Sequence, residues 1–209
     1  MKPIFITGTG THVGKTLVSA IIAESLQADY WKPVQAGYED GTDSLAVHHL
    51  ISNTKTVIHP ELYRLTTPAS PHISAALDNT KVKIKKIVSG IPKTANNLLV
   101  EGAGGLLVPL NKKNFVLDLI KKMKARVIIV SKNELGSINH SLLTAAVLKR
   151  EKINVAGWIF TDEFMYYEEQ IAEWSGYPLI ASIKHLQVVT KETVKAEADA
   201  IFPKLQKYL

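Results

Sequence analysis

A glycine-rich segment near the start of the chain constrains the fold more than any other feature. Residues 8–16 read Gly-Thr-Gly-Thr-His-Val-Gly-Lys-Thr, after the apolar run Ile4-Phe5-Ile6 and before a helix-like run over residues 17–26. A strand, a glycine-rich loop and a helix in this order typify a phosphate-binding loop, because backbone N–H groups and the helix N-terminus surround phosphate oxygens. Lys15 would then reach the outer phosphates and Thr16 would hold a metal ion. The segment predicts a nucleoside triphosphate site.

The spacing of this loop departs from the common pattern. The standard loop has a glycine five positions before the glycine of Gly-Lys-Thr, and Thr9 occupies that position here. The loop matches the standard pattern only if Gly8 serves as the first glycine and the loop is one residue longer than usual. The loop is therefore a strong but variant match.

Composition excludes several classes of protein. The 209 residues are 46% hydrophobic and 21% charged, which is ordinary for a globular protein and predicts one domain over residues 1–209. The net charge of +6 comes from scattered lysines without interleaved aromatic residues. This favours a solvated surface and predicts no nucleic-acid partner, the alternative being a role in attracting anionic substrates.

The absence of cysteine and of long apolar runs limits the chemistry and the location. Without cysteine there are no disulfides, thiolate metal sites or cysteine nucleophiles. No signal peptide is visible, and no run approaches the roughly 20 apolar residues of a membrane span. We therefore expect a cytoplasmic protein without a membrane partner.

Strand-length apolar runs alternate with helical patterns along the chain. Continuous hydrophobicity in residues 98–100 and 127–130 indicates strands buried on both faces, as in a parallel sheet covered by helices. We therefore predict an α/β fold class, a single-domain three-layer P-loop NTPase fold with a mostly parallel central sheet flanked by helices. Residues 54–79, which contain three prolines, read as a long functional excursion. The predicted strands are 4–7, 30–33, 98–101, 127–131, 155–160 and 179–183, and the predicted helices are 15–27, 44–51, 82–89, 116–124, 141–150, 166–175 and 190–205, with Pro203 shortening or kinking the last.

Three charged side chains stand where predicted strands or helices meet the nucleotide edge of the sheet. Lys32 ends the second strand, and alone it would be a surface residue. Asp43 stands at a probable helix start, where it is either an N-cap or a carboxylate ligand of Mg²⁺. Glu101 closes a buried strand before Gly102-Ala103-Gly104-Gly105, which favours ion binding over a solvated glutamate in a glycine turn.

The segment Gly136-Ser137-Ile138-Asn139-His140-Ser141 follows the fourth predicted strand. Asn139 or Ser137 in isolation reads as a cap of a helix beginning near Ser141. His140 is more readily structural than catalytic. The histidines form no metal-ligand pattern, since His48 and His49 are adjacent and face different directions on a helix.

Taken in order, these motifs resemble the dethiobiotin synthetase family of P-loop enzymes. The family uses the same one-residue-longer phosphate loop, so the variant spacing supports the resemblance. The match extends from residue 4 to about residue 160. The matching stretches are Thr7-Gly8-Thr9, Val13-Gly14-Lys15-Thr16, Lys32-Pro33-Val34 with Gly37, Asp43, Ser70-Pro71-His72-Ile73, Val100-Glu101-Gly102-Ala103-Gly104-Gly105, Ile138-Asn139-His140 with Leu143-Thr144-Ala145, and Ala156-Gly157-Trp158.

The resemblance implies a reaction in which 7,8-diaminopelargonic acid, CO₂ and ATP give dethiobiotin, ADP and phosphate with Mg²⁺. It implies that Lys32 and Lys15 are catalytic and that Thr16, Asp43 and Glu101 bind the metal. It also implies a homodimer, in which the partner subunit supplies residues 136–139 to the substrate carboxylate. The implied nucleotide contacts are His12, Val13, Gly14, Lys15, Thr16, Leu17, Asp43, Glu101, Gly102, Ala103, Gly104 and Thr161, and the implied substrate contacts are Thr11, Lys32, Ala36, Gly136, Ser137, Ile138 and Asn139.

The chain departs from the family pattern at four places. Ala36 replaces a hydroxyl residue that usually contacts the substrate, and His12 replaces a commonly acidic residue. Thr161 stands where the family presents Asn-Asp to the purine, and Ile183-Lys184-His185 lacks the expected proline. These departures leave the phosphate chemistry intact and the choice of base open.

Two other classes of P-loop protein compete with this interpretation. A switch ATPase of the partitioning or septum-site class would act through protein partners, but usually carries a second lysine early in the loop, where Thr9 and Gly10 stand. A cobyrinate-type synthetase would need an amidotransferase domain with a cysteine nucleophile, which this sequence lacks. A nucleotide-binding module without enzymatic activity is the remaining alternative.

Overall fold

The structure is a computed structural model that describes residues 2–39 and 41–209. A parallel sheet forms its centre, and every strand pairing in that sheet is parallel within the described residues. The strands are β1 (Ile4–Gly8), β2 (Asp29–Trp31), β3 (Val34–Ala36), β4 (Ile58–His59), β5 (Tyr63–Leu65), β6 (Leu98–Gly105), β7 (Arg126–Lys132), β8 (Val155–Thr161) and β9 (Leu179–Ile183).

Seven of these strands form the central sheet in the order β4-β2-β6-β1-β7-β8-β9, and β3 pairs with β5 in a separate two-stranded sheet. β1 therefore lies between β6 and β7, both of which come much later in the chain. In open parallel sheets, ligands bind beyond the carboxyl ends of the strands, so this order places the loop after β1 near the centre of the binding edge.

The helices are α1 (Lys15–Leu26), α2 (Asp43–Leu50), α3 (Pro71–Leu77), α4 (Ile84–Ser89), α5 (Val116–Met123), α6 (Ser137–Arg150), α7 (Glu168–Ser175) and α8 (Lys191–Tyr208).

Two hydrophobic cores lie on opposite faces of the sheet. Successive side chains of a strand point to opposite faces, and β1 divides accordingly: Phe5 packs into one core, and Ile4 and Ile6 pack into the other. Helices α1 and α8 contribute Ile22 and Val194 to the second core, whereas α4, α5, α6 and α7 pack on the first. Because helices cover both faces of the central sheet, its inner strands are apolar on both sides, which explains their continuous apolar runs. This arrangement confirms the predicted three-layer α/β fold.

Several predicted boundaries are wrong. β6 continues from Glu101 to Gly105, so Glu101 lies inside the strand instead of closing it. Helix α6 begins at Ser137, one turn before the predicted start, because Gly136 takes the left-handed conformation (φ 95°) at its N-cap. Neither Ser137 nor Asn139 caps this helix, contrary to the expectation for the segment in isolation.

The region expected to be irregular contains β4, β5 and α3. Pro203 does not shorten the last helix, since α8 continues past it to Tyr208. Ile201 and Leu205, on either side of the proline, are both buried in the core formed with α1. Burial of this face outweighs the loss of one backbone hydrogen bond.

Candidate active site

The phosphate loop has the tight geometry that its glycines require. Gly14 adopts φ +83°, a conformation that side chains rarely take. A Cβ on Gly8 would lie 2.8 Å from the carbonyl oxygen of Gly10 and 3.1 Å from Nζ of Lys15. The Lys15 ammonium is buried and donates to the carbonyl oxygen of Gly10 at 2.7 Å. The loop therefore holds its lysine folded over its own backbone, at the N-terminus of α1.

Three oxygen-bearing side chains from different elements meet beside this loop. The hydroxyl of Thr16, in the first turn of α1, donates to Oδ1 of Asp43 at 2.8 Å and lies 3.2 Å from Oε1 of Glu101. Thr42 is the N-cap of α2, and its side chain accepts from the backbone N–H of Leu45. Asp43 is therefore not the N-cap, so its carboxylate is available to the site.

Lys32 lies between the two carboxylates. Its ammonium is 2.9 Å from Oε1 of Glu101 and forms an ion pair with Asp43. The side chain is only 7% exposed, and that of Glu101 only 1%. The surface role considered for Lys32 in isolation is therefore wrong, because a lysine this deeply buried needs compensating charge.

Burial affects the two lysines differently. It lowers the pKa of Lys15 to about 8, a shift that the negative charge of Glu101 only partly offsets. Burial also acts to lower the pKa of Lys32, but Glu101 and Asp43 outweigh it and hold that pKa above its usual value. Burial acts to raise the pKa of Asp43, but the charge of Lys32 and the hydrogen bonds from Lys32 and Thr16 together outweigh it and lower that pKa. The site therefore keeps Lys32 charged at neutral pH.

Tyr30 is a member of this site that sequence reasoning missed. Its side chain is fully buried, and its hydroxyl donates to Oε2 of Glu101 at 2.9 Å. The pKa of Tyr30 is well above its usual value because of burial and the adjacent charge of Glu101. Tyr30 thus occupies one carboxylate oxygen and leaves the other facing Thr16 and Lys32.

The donor set suits a small divalent cation. Mg²⁺ prefers oxygen ligands and is commonly held by one or two carboxylates with substrate phosphates. Thr16, Asp43 and Glu101 bring one hydroxyl and two carboxylates within hydrogen-bonding distance of one another. The described residues contain no cluster of three or more histidine, cysteine or acidic side chains with metal-binding geometry. A metal here would therefore depend on the hydroxyl and on phosphate oxygens as well.

Thr161, at the end of β8, contacts the back of the phosphate loop. Its buried hydroxyl donates to the carbonyl oxygen of Val13 at 3.1 Å. A Cβ on Gly14 would come within 2.8 Å of Cγ2 of Thr161. The side chain therefore supports the loop, and its expected contact with a base stays a prediction.

A cavity of about 390 Å³ adjoins the ends of β7, β8 and β9. Asp162 is its central charged group: His185 Nδ1 lies 2.9 Å from one carboxylate oxygen and Lys132 Nζ lies 3.5 Å from the other. The amide nitrogen of Asn133 donates to Glu168 at 2.6 Å, while its buried Oδ1 has no hydrogen-bond partner. The cavity is lined by Lys132, Asn133, Glu134, Leu135, Asp162, Glu163, Phe164 and His185.

The residues expected to contact substrate are less tightly grouped. Thr11 and His12 are exposed on the phosphate loop, and Ala36 ends β3 in a half-buried position. In the 136–139 segment, the Ser137 hydroxyl is buried against the hydroxyl of Tyr167 at 2.6 Å, and only Asn139 has an exposed side chain. Ser137 therefore has a structural contact within its own subunit.

None of the helices in the described part of the chain has the length and apolarity needed to cross a membrane.

A family model described as an AAA domain matches residues 2–193. The chain is 47% identical over 204 residues to an ATP-dependent dethiobiotin synthetase of Cytophaga hutchinsonii, covering 97% of this chain and 98% of that protein. It is 45% identical over 199 residues to the corresponding protein of Christiangramia forsetii, covering 95% of each.

Solved structures with a similar fold are more distant in sequence. The cell division ATPase MinD of Pyrococcus furiosus superposes with a TM-score of 0.62 at 14% identity and covers 100% of both chains. A ParA family ATPase of Chlorobium tepidum gives a TM-score of 0.60 at 12% identity, covering 99% of this chain and 95% of that one. At these identities the likeness shows the P-loop NTPase fold alone.

Proposed function

The chain belongs to the dethiobiotin synthetase family, and from that premise we propose that it converts 7,8-diaminopelargonic acid, CO₂ and ATP to dethiobiotin, ADP and phosphate. The observation that carries the proposal is the convergence of Lys32, Asp43 and Glu101 with Thr16 of the phosphate loop. Phosphoryl transfer requires positive charge aligned on the phosphates. The buried ammonium of Lys32 supplies one such charge beside the loop, and the two carboxylates with Thr16 would supply the rest by holding a divalent cation.

The reaction proceeds through two activated forms of the substrate. One amine of the substrate captures CO₂ as a carbamate, and a carbamate oxygen attacks the γ-phosphorus of ATP with release of ADP. The second amine then attacks the carbamic-phosphoric anhydride at carbon, expels phosphate and closes the ureido ring. Each step develops negative charge on oxygen, and stabilisation of that charge by fixed cations lowers the barrier.

We assign different tasks to the two lysines. Lys32 stays protonated at neutral pH because of its carboxylate neighbours, and it stabilises the carbamate and the transferring phosphoryl group. Lys15 bridges the carbamate and the γ-phosphate from the loop. Backbone groups of residues 12–17 surround the phosphates, supported from behind by the hydrogen bond from Thr161 to Val13.

Mg²⁺ fits the site formed by Thr16, Asp43 and Glu101. When bound, it would neutralise charge on the β- and γ-phosphates. Tyr30 fixes Glu101 for this role, since its hydrogen bond occupies Oε2 and leaves Oε1 on the side of Thr16. Residues 102–104, which continue β6 beyond Glu101, bring the backbone close to the nucleotide.

The cavity beside Thr161 is our proposed location for the adenine base. It lies at the carboxyl ends of the strands that follow β1 in the sheet, and a fused-ring base fits within about 390 Å³. The unpartnered Oδ1 of Asn133 and the carboxylate of Asp162 are acceptors suited to an amino group. This acceptor-rich lining supports ATP as the cosubstrate.

We further propose that the enzyme acts as a homodimer in the cytoplasm. The substrate carboxylate would bind at residues 136–139 of the partner subunit, at the N-terminus of α6, where the backbone favours anions. Leu143 on the same helix is 58% exposed and supplies an apolar contact surface. Thr11 and Ala36 complete the substrate site, with one hydrogen bond fewer at Ala36 than a hydroxyl residue would give.

The switch-ATPase alternative has no site observation in its favour. Its support is the likeness to MinD and ParA structures, at 12–14% identity. The loop has Thr9 and Gly10 where that class usually carries its second lysine. The synthetase proposal accounts for both the buried Lys32 and the variant loop.

A product assay tests the function directly. Purified protein is incubated with diaminopelargonic acid, bicarbonate, Mg²⁺ and each of several nucleoside triphosphates, and dethiobiotin is measured by mass spectrometry. We expect product with ATP, and none when bicarbonate or nucleotide is omitted. Absence of product with every nucleotide would refute the synthetase activity, whereas product with another nucleotide alone would refute the adenine assignment.

A further inference from the structure

Gln35 is a buried polar side chain that hydrogen-bonds to the backbone of the loop leading to Asp43. It stands in the middle of β3, where successive side chains point in alternating directions. Val34 and Ala36 pack against one hydrophobic core, so Gln35 points to the other side of the strand. It is only 7% exposed there. A buried amide needs hydrogen-bond partners, and those of Gln35 lie at the two ends of this loop.

The amide of Gln35 joins these two ends. Its Nε2 donates to the carbonyl oxygen of Gly37 at 2.8 Å, and its Oε1 accepts from the backbone N–H of Asp43 at 3.2 Å. Asp43 is the first residue of α2, and the N–H groups of a first helical turn have no partner within the helix. The N-cap, Thr42, accepts from the N–H of Leu45. Gln35 therefore supplies an acceptor for Asp43 that the helix itself cannot supply.

The two ends of the loop differ in how firmly the rest of the fold places them. Only two of the eight residues of α2 are buried, so packing alone constrains the start of this helix weakly. Gly37 is fixed more firmly: its N–H donates to the carbonyl oxygen of Leu65 at 2.9 Å, and a Cβ on it would come within 2.7 Å of Pro68. Through Gln35, the fixed position of Gly37 constrains that of Asp43.

The position of Asp43 decides the geometry of the candidate metal site. Its carboxylate accepts from the hydroxyl of Thr16 at 2.8 Å. Mg²⁺ requires nearly ideal octahedral geometry, so a small displacement of one carboxylate weakens its binding. The other carboxylate, Glu101, is held through its side chain by Tyr30. Gln35 has the corresponding place for Asp43, and it acts through the backbone.

We propose that Gln35 is a positioning residue that holds Asp43 where its carboxylate can bind Mg²⁺ on a nucleotide. The inference rests on the proposed role of Thr16, Asp43 and Glu101 in binding Mg²⁺. Residues that orient metal ligands affect metal affinity without contacting the metal. Loss of the Gln35 amide should therefore reduce what Mg²⁺ adds to nucleotide binding, and leave the metal-free contacts of the phosphate loop in place.

Nucleotide titration with and without Mg²⁺ tests the proposal. The affinity of β,γ-imido-ATP, which is not hydrolysed, is measured by isothermal titration calorimetry in Mg²⁺ and in EDTA. The ratio of the two dissociation constants is the Mg²⁺ enhancement. Gln35→Met keeps the length of the side chain and removes the amide. We expect it to lower the enhancement at least about fivefold, and to leave the metal-free affinity within about twofold.

Asn53→Leu is the matched control. Asn53 also accepts from backbone N–H groups beside α2, those of Lys55 and Thr56, but at the other end of the helix. A general loss of stability should affect both variants alike, whereas only Gln35→Met should lower the enhancement. A Gln35→Met protein with the wild-type enhancement, or an equal loss in the two variants, would overturn the proposal.

Circular dichroism melting checks that each variant folds, and Gln35→Asn decides the result if Gln35→Met does not. Asparagine keeps the amide but is one methylene shorter, so it cannot reach both Gly37 and Asp43, and we expect it to lower the enhancement too. Wild-type protein without Mg²⁺ enhancement would refute the metal site itself, and this inference with it. A wild-type enhancement that survives in the Gln35 variants would refute only the positioning role.

Discussion

Lys32 illustrates how a single buried charge is tied to the chemistry of this site. Its ammonium is held by Glu101 and Asp43, and replacing it by alanine leaves both carboxylates without their cation. We expect Lys32→Ala to lower kcat for dethiobiotin formation by at least about a hundredfold, because a preorganised charge facing the transition state is lost. Affinity for ADP should stay within about threefold, since the backbone of the loop supplies the phosphate contacts.

The control for this variant is Lys195→Ala, which removes a lysine of α8 whose side chain is 51% accessible. It should keep wild-type turnover. Both quantities are measured, turnover by product formation and nucleotide affinity by fluorescence titration. An equal loss of both in Lys32→Ala would mean that Lys32 is a nucleotide-binding residue instead.

Lys15 makes nucleotide binding sensitive to pH. Burial lowers its pKa to about 8, so the folded free enzyme loses this ammonium as the pH rises through that value, well before an ordinary lysine at 10.5. Between these two values the unfolded chain binds more protons than the folded one, so this group makes folding more favourable as the pH rises. Phosphate binding changes in the opposite direction, because the cation disappears.

We therefore expect affinity for ADP, measured without metal, to fall as the pH rises above about 8, by at most about tenfold per pH unit for one titrating group. Fluorescence titration across this range is the measurement. Lys195→Ala should retain the same profile. An unchanged affinity up to about pH 10 would show that Lys15 keeps an ordinary pKa.

Among individual residues, the sequence identified the charged and polar side chains of the site better than the residues that hold them in position. Lys15, Thr16, Asp43 and Glu101 were predictable from spacing and from the positions of predicted strand ends and helix starts. Tyr30 was not, since a tyrosine in an apolar strand reads as core and nothing in its neighbourhood indicates a hydrogen bond to a residue 71 positions away. The neighbours of a carboxylate depend on strand order, which the local pattern does not encode.

Strand β8 contributes to the active site by supporting the phosphate loop. Thr161→Val keeps the shape of the side chain that fills the space behind Gly14, and removes only the hydrogen bond to Val13. Such a bond contributes about 1 kcal/mol, so we expect the KM for ATP to rise about fivefold with the melting temperature little changed. Steady-state kinetics and thermal melting are the measurements.

Thr7→Val in β1 is the matched control, because the hydroxyl of Thr7 is equally buried but has no hydrogen-bond partner. It should leave the KM for ATP unchanged. If the two variants behave alike, the hydrogen bond to Val13 has no role in holding the loop.

The elements themselves were largely predictable, and two of their errors have a common cause. Helices and strands with apolar patterns were found within a few residues of their positions. These two errors fall at glycines: the Gly102–Gly105 part of β6 lacks most of the side chains that mark a strand, and Gly136 starts α6 without a polar cap. Residue patterns cannot report elements that are held by pairing with neighbours, as the end of β6 is held by β1.

For the whole molecule, the main prediction concerns assembly. Leu143 is 58% exposed on α6, the helix that begins with the proposed substrate segment. If two copies meet there, Leu143→Glu places a charge in an apolar interface and should give monomers with little dethiobiotin formation. Light scattering and the product assay measure the two effects.

Val188→Glu is the matched control, since Val188 is 66% exposed and precedes α8. It should keep both the dimer and the activity. A Leu143→Glu protein that is monomeric but fully active would show that each subunit has a complete site.

The position of β1 between two late-arriving strands has a consequence for biosynthesis of the protein. The phosphate loop is encoded within the first 16 residues, yet the strands that flank β1 end at Gly105 and Lys132. A nascent chain that has not yet released residue 132 from the ribosome lacks β7, one of the two strands that pair with β1 beside the phosphate loop. Nucleotide therefore cannot assist the early stages of folding, and it stabilises only a chain whose central sheet is already assembled.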